Sequence, residues 1–202
     1  MLLGNNDVKI VGIYDMPGIG KTTLLQKIYH ELRESNQQGG GDPSKAVIYV
    51  NVHKEPNIGS LQRDIAQQLC PIPAEDGPSD APSPEIQQAR TLFMELSKNE
   101  SILLLDDVWE ALDWKKIGIT SPSSERVLCK IIFTTPLRQV CIDMEVGANS
   151  VGIGFLSDTQ SWELFCHKVN KLVDDPSITP ERAVVTLCGG LPRAIITMSD
   201  YY

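Results

Sequence analysis

Short apolar runs bounded by turn residues alternate along this chain with stretches whose apolar positions recur every three or four residues. Residues 8–14 (VKIVGIY) form such a run before a Gly/Pro turn and predict a buried strand. A helix is predicted over 21–33, with Leu24, Leu25, Ile28 and Leu32 on one face. After Gly39–Gly41, the run AVIYVNV at 46–52 predicts a second strand, and Ile58, Leu61, Ile65 and Leu69 mark a second helix. Residues 71–84 carry five prolines and no periodicity, which reads as an exposed surface loop and not a domain boundary. A helix over 86–97 follows, then a strongly apolar strand, SILLL at 101–105, that ends in Asp106-Asp107. A short helix near 109–117, a strand at 130–134 (KIIFT) and one more strand at 150–153 complete the alternating part.

Beyond residue 153 the pattern changes to helices. Ser157 with Gln160 reads as a capping box ahead of Trp162, Phe165 and Val169. Thr179-Pro180 reads as a helix start, Cys188-Gly189-Gly190 as a stop, and Leu191-Pro192 as the next start. Strands alternating with helices, then helices alone, predict an α/β fold: a doubly wound parallel sheet over 1–153 followed by a small helical piece over 154–202. Trp109, Trp162 and Phe165 read as core residues.

The chain is long enough for one such domain with an appendage, and its formal charge of -8 argues against a general nucleic-acid binder, which needs a basic footprint. No apolar run reaches the length of a membrane helix, and 1–7 does not read as a secretory signal. Cys70, Cys129, Cys141, Cys166 and Cys188 form no C-x-x-C pair, and His30, His53 and His167 complete no zinc pattern, so reduced structural thiols in an intracellular protein are expected.

The chemistry concentrates in residues 15–23, Asp-Met-Pro-Gly-Ile-Gly-Lys-Thr-Thr, between a predicted strand and a predicted helix. That is the context of a P-loop, in which Gly18, Ile19 and Gly20 bend the backbone around a phosphate and the helix N-terminus adds partial positive charge. Lys21 is expected on the outer phosphates, the Thr22 hydroxyl on Mg²⁺, and Thr23 near the inner phosphate. The other half is Asp106-Asp107: a carboxylate ending a buried strand is costly without a charged partner. Asp106 is expected to hold Mg²⁺, mainly through water, and Asp107 to orient a water on the terminal phosphate, the one catalytic role assigned.

Six stretches in order resemble the NB-ARC domain of plant NLR disease-resistance proteins: VGIYDMPGIGKTTL, AVIYVNVHKEPNIGSLQRDIAQQL, SILLLDDVWEALDW, CKIIFTTPLRQVC, FLSDTQSWELF and CGGLPRA. The tryptophan after Asp-Asp-Val resembles the coiled-coil branch. The resemblance implies a P-loop NTPase fold with a partial helical ARC subdomain, and an ADP/ATP switch in plant defense signal transduction. It also implies ADP at rest, ATP on activation, at most slow hydrolysis, and oligomerisation with other NLR domains or receptors. It implies a cytoplasmic location and no direct nucleic-acid partner. Pro192 resembles the proline that packs on adenine, and Thr134 and Thr135 the sensor strand near the terminal phosphate.

Asp15 stands in place of the first loop glycine, Pro17 removes one amide, Pro136 replaces the sensor arginine with only Arg138 nearby, and Arg193 replaces a leucine. The chain is expected to be truncated before a winged-helix part. These departures motivate an alternative: a degenerate interaction or decoy module that no longer binds nucleotide. A GTPase or small-molecule kinase is disfavoured because the guanine-reading Asn-Lys-x-Asp is absent.

Overall fold

The computed structural model describes residues 8–37, 45–52, 54–55, 57–69, 83–98, 100–120, 129–173 and 181–202. Gly39–Gly41, His53, Cys70, most of the proline-rich stretch and the Thr179-Pro180 helix start lie outside these residues. The elements run β1 (Ile10–Tyr14), α1 (Lys21–Gln37), β2 (Ala46–Asn51), α2 (Ile58–Leu69), α3 (Pro84–Leu96), β3 (Ser101–Asp106), α4 (Trp114–Ile117), β4 (Cys129–Thr135), α5 (Arg138–Asp143), β5 (Ser150–Gly152), α6 (Asp158–Lys168), α7 (Glu181–Leu187) and α8 (Pro192–Ser199).

The strands form one α/β sheet in the order β2-β3-β4-β1-β5. The pairings β2–β3, β3–β4 and β4–β1 are parallel, as the alternation of strands and helices predicts. Every residue of β3 is buried, which is why its sequence is a continuous apolar run and not an alternating one. Two compact units are distinguishable: one runs to Tyr14 and resumes over Thr22–Val151, and the other takes Asp15–Lys21 with Gly152–Tyr202.

The core of the first unit gathers Ile48, Ile65, Leu92, Leu103, Leu105, Ile131 and Phe133, each at most 1% exposed. Buried Gln62 ties three helices together: its Nε2 donates to Glu85 O at 3.1 Å and to Lys116 O at 2.8 Å. The second unit has its own core of Trp162, Phe165, Cys166, Val185 and Ile195. The Trp162 indole N–H donates to Val173 O, and its ring stacks on Phe165 at 5.5 Å. The expected Ser157/Gln160 capping box opens α6.

Several expectations shift. Leu24 is not on the buried face of α1: it is 39% exposed, while Leu25 is fully buried. Helix α3 begins at Pro84, with Ser83 as N-cap, because proline suits the first helical turn. The helix expected near 109–117 is only α4, since the Asp113 side chain caps it by accepting from the Lys115 and Lys116 amides. Helix α5 follows Pro136-Leu137 where no helix was expected. The thiols of Cys129, Cys141, Cys166 and Cys188 are free, and burial pushes that of Cys129 up to about 11 and raises that of Cys141.

Gly12 makes the seat for α5. A Cβ there would lie 2.7 Å from Cys141 Sγ and 2.9 Å from Phe133 Cζ, so β1 and α5 meet only because β1 has no side chain at that point. Gly12→Ala is expected to destabilise the chain by about 1–3 kcal/mol through overpacking. A urea unfolding midpoint equal to that of the parent chain would contradict this packing.

Candidate functional site

The loop between β1 and α1 turns at two glycines. Gly18 and Gly20 have φ of +87° and +103°, which L side chains rarely adopt. Nothing stands within 4 Å of a Cβ built on Gly20, so the backbone there borders open space into which a ligand can approach. Left-handed turns at alternate residues concentrate backbone N–H groups, the arrangement that receives anions. Ile19, between the two glycines, is 3% exposed and anchors the loop by burial. The Lys21 ammonium folds back over the loop, donating to Asp15 O at 2.6 Å and Met16 O at 3.0 Å.

Asp15 is also committed to the backbone. One carboxylate oxygen accepts from Met16 N at 2.8 Å and the other from Gly154 N at 2.9 Å. Its charge therefore has two amide donors, which stabilise an exposed turn. Pro192 opens α8, and the next residue, Arg193, donates its N–H to Gly18 O at 3.2 Å.

The second group centres on Asp106, the last residue of β3 and 2% exposed. Three hydroxyls from three elements converge on its carboxylate. Oδ1 accepts from Thr22 Oγ1 of α1 at 3.2 Å and from Thr134 Oγ1 of β4, while Oδ2 accepts from Tyr49 Oη of β2 at 2.9 Å. Parallel register accounts for the convergence: Asn51 pairs with Asp106 and Leu105 with Phe133, so Tyr49 and Thr134 come from the strands on either side. Burial, and then the bond to Asp106, push the Tyr49 phenol well above the usual tyrosine range.

Asp107 follows with φ 61°, and its N–H donates to Thr134 Oγ1 at 2.9 Å. The Trp109 indole N–H donates to Asp107 Oδ2 at 3.0 Å, and the Lys54 ammonium lies 4.7 Å from the Trp109 ring centroid. Trp109 is thus half-buried beside a site carboxylate and not the core residue its sequence suggested. Thr135 faces elsewhere: its hydroxyl accepts from Leu137 N at 3.1 Å and supports the turn into α5. Arg138 lies 5.6 Å from the Tyr14 ring centroid. Thr22 and Thr23 are exposed in the first turn of α1.

The expected residues thus fall in two sets: Gly18, Ile19, Gly20, Lys21 and Pro192 in one unit, and Thr22, Thr23, Thr134, Asp106 and Asp107 in the other. Sequence reasoning missed Tyr49, Trp109 and Gly154 as partners. An aromatic on a strand reads as core, and only the β2–β3 register reveals that Tyr49 shares a sheet end with Asp106. For a magnesium ion the donor chemistry fits. Octahedral coordination sets neighbouring oxygen ligands about 3 Å apart, and Thr22 Oγ1 and Asp106 Oδ1 are 3.2 Å apart. Among the described residues no group of three or more His, Cys, Asp or Glu side chains is placed to hold a metal ion, so such an ion would take its other ligands from phosphate and water.

The NB-ARC domain family matches residues 1–175. Disease resistance protein SUMM2 of Arabidopsis thaliana is 38% identical over 196 residues, which cover 95% of this chain and 21% of that protein. Disease resistance protein UNI is 36% identical over 203 residues, covering 98% and 21%, and disease resistance protein RPS5 is 35% identical over 194 residues, covering 95% and 21%, both from the same plant. The chain therefore spans about a fifth of the length of these relatives. The family match over most of its residues, on a parallel α/β sheet, shows that this chain belongs to the NB-ARC domain family.

Proposed function

We propose that the chain is the ADP/ATP-binding switch module of a plant intracellular immune receptor, with weak or no hydrolysis. The observation that carries the reading is the hydroxyl–carboxylate pair of Thr22 and Asp106, at the start of a helix preceded by a glycine loop. In this reading the backbone of Gly18, Ile19 and Gly20, with Lys21, Thr22 and Thr23, receives the phosphates. Thr134 holds Asp106 and Asp107 in place beside the terminal phosphate, and Pro192 packs on adenine. Thr22 and, mainly through water, Asp106 would hold Mg²⁺, which would neutralise phosphate charge when bound. Asp107, fixed by Trp109, orients water where hydrolysis occurs at all. The functional division is a nucleotide-binding part over 1–153 and a partial ARC part over 154–202.

Oligomerisation with other receptor domains and a cytoplasmic location complete the proposal. Among the described residues no helix is long and apolar enough to cross a membrane. A second reading, an interaction or decoy module without nucleotide, draws on Asp15 and on Pro136, where the chain offers no sensor arginine. Denaturing the purified protein and chromatographing what it releases separates the two: released ADP favours the switch, and its absence together with heteromeric pull-down favours the decoy.

Calorimetric titration with ADP and Mg²⁺ tests the leading reading, and no heat from folded protein at high micromolar nucleotide would overturn it. Lys21→Ala is expected to weaken ADP binding by about 100-fold or more, because it removes the loop's ammonium; unchanged affinity would contradict the site.

The Asp106 network makes a separate prediction. Since the folded pKa of Tyr49 is raised, the folded chain keeps a proton that the unfolded chain releases above about pH 10. This contribution to stability is complete below that pH and is lost as the pH rises further. Urea unfolding at neutral and strongly alkaline pH should show a smaller alkaline loss in Tyr49→Phe than in the parent, and equal losses would mean that the phenol does not meet the carboxylate.

A further inference from the structure

Arg193 is built onto the phosphate loop by two independent contacts. Its N–H donates to Gly18 O at 3.2 Å. Its stem lies against the same glycine: a Cβ on Gly18 would come 3.0 Å from Arg193 Cβ, 3.3 Å from Cδ and 3.7 Å from Cγ. Gly18 and Arg193 belong to one compact unit, so this is a local arrangement. Two residues on from Gly18, the backbone of Gly20 borders open space.

Among the described residues several other arginines have partners for their guanidinium groups. Arg33, Arg138 and Arg182 lie over the rings of Tyr29, Tyr14 and Trp162, and Arg63 donates through Nε to Gly59 O. Among the described residues the Arg193 guanidinium enters none of the ion pairs or side-chain hydrogen bonds, and the side chain is exposed.

Charge gives this placement a consequence. Residues 15–21 contain one acid, Asp15, and one base, Lys21, so the loop by itself has no net side-chain charge to offer an anion. The Asp15 carboxylate is fastened in the loop by the amides of Met16 and Gly154, so it stays there. A second cation carried on Gly18 restores a net positive loop. A guanidinium does this with a planar fork that can grip two oxygens of one phosphate group.

We propose that Arg193 is a phosphate-binding residue of this site, a second cation that grips the polyphosphate chain of the nucleotide and offsets the charge of Asp15. The inference rests on the nucleotide-binding reading above. It is tested on the full chain by calorimetric titration of ADP with Mg²⁺ at low and at high salt, using the parent, Arg193→Leu and Arg193→Lys, each checked for an unchanged circular dichroism spectrum. Arg193→Leu is expected to bind ADP about ten-fold more weakly at low salt, with the deficit shrinking at high salt as counterions replace the lost charge. Arg193→Lys should lie between the two, keeping the charge without the fork. If Arg193→Leu binds as the parent does, or if Leu and Lys lose affinity equally and to the same extent at both salt concentrations, the assignment is overturned, because the side chain then acts at most through packing. A parent chain that takes up no ADP at all removes the nucleotide reading itself; a parent that binds beside an unimpaired Arg193→Leu removes only the role given to Arg193.

Discussion

A carboxylate buried at the end of a strand governs the larger of the two units. Asp106 is 2% exposed, and an isolated charge in that position would be strongly unfavourable. Three hydroxyl donors satisfy the carboxylate, and each comes from a different element: Thr22 from α1, Tyr49 from β2 and Thr134 from β4. The cost of burying the group is therefore met only when β2, β3 and β4 are in register and α1 begins where it does. This makes Asp106, the residue proposed to hold the metal, a check on the register of β2, β3 and β4. A one-residue slip of β2 would turn Tyr49 to the opposite face of the sheet and leave one carboxylate oxygen without its donor.

The loop residues solve a different problem by different means. Backbone groups are partners of their polar groups: two loop carbonyls of the Lys21 ammonium, two amides of the Asp15 carboxylate, and the amide of Arg193 of the Gly18 carbonyl. Backbone partners hold a loop's shape whatever the neighbouring side chains are. They also explain how a P-loop tolerates aspartate where glycine is usual. The side chain is turned into the fastening of the loop to Gly154, and its charge becomes a quantity that the surrounding cations have to balance.

Much of this architecture could be read in advance from local pattern. Strand β3 is visible as an unbroken apolar run because both of its faces are covered, and α6 is visible because Ser157 and Gln160 satisfy each other's backbone partners. Motif context assigned Thr22 and Asp106 to one metal ion, but their direct hydrogen bond shows only in the structure. Helix α5 was hidden: it has six residues, no side-chain cap, and a proline two positions before it, so it offers no periodic window. Its seat, Gly12, has meaning only once Cys141 and Phe133 are known to converge there. Tyr49 and Trp109 were hidden for a related reason. Their rings carry the apolar signal that a one-dimensional reading responds to, while the single polar atom that matters, a phenol oxygen or an indole nitrogen, is aimed by tertiary register. Arg193 was legible as a departure but not as a neighbour of Gly18, since 175 positions of sequence separate the two.

The adjacent aspartates illustrate how conformation divides one dipeptide into two functions. Two carboxylates on consecutive residues repel if they share one environment. The backbone separates them by placing Asp107 at φ 61°, a left-handed conformation that aspartate tolerates better than most residues. The turn ends β3, leaves Asp106 facing inward to its hydroxyls, and brings Asp107 out to a half-buried position. The strain is offset locally. Thr134 receives the Asp107 N–H on the same oxygen from which it donates to Asp106, and the Trp109 indole holds the Asp107 carboxylate. Thr134 is therefore the hinge of the pair: one hydroxyl holds the carboxylate of the inner acid and the backbone direction of the outer one. A substitution that kept its volume but removed the hydroxyl would release both together, which is a stronger constraint on that position than proximity to a nucleotide alone would impose.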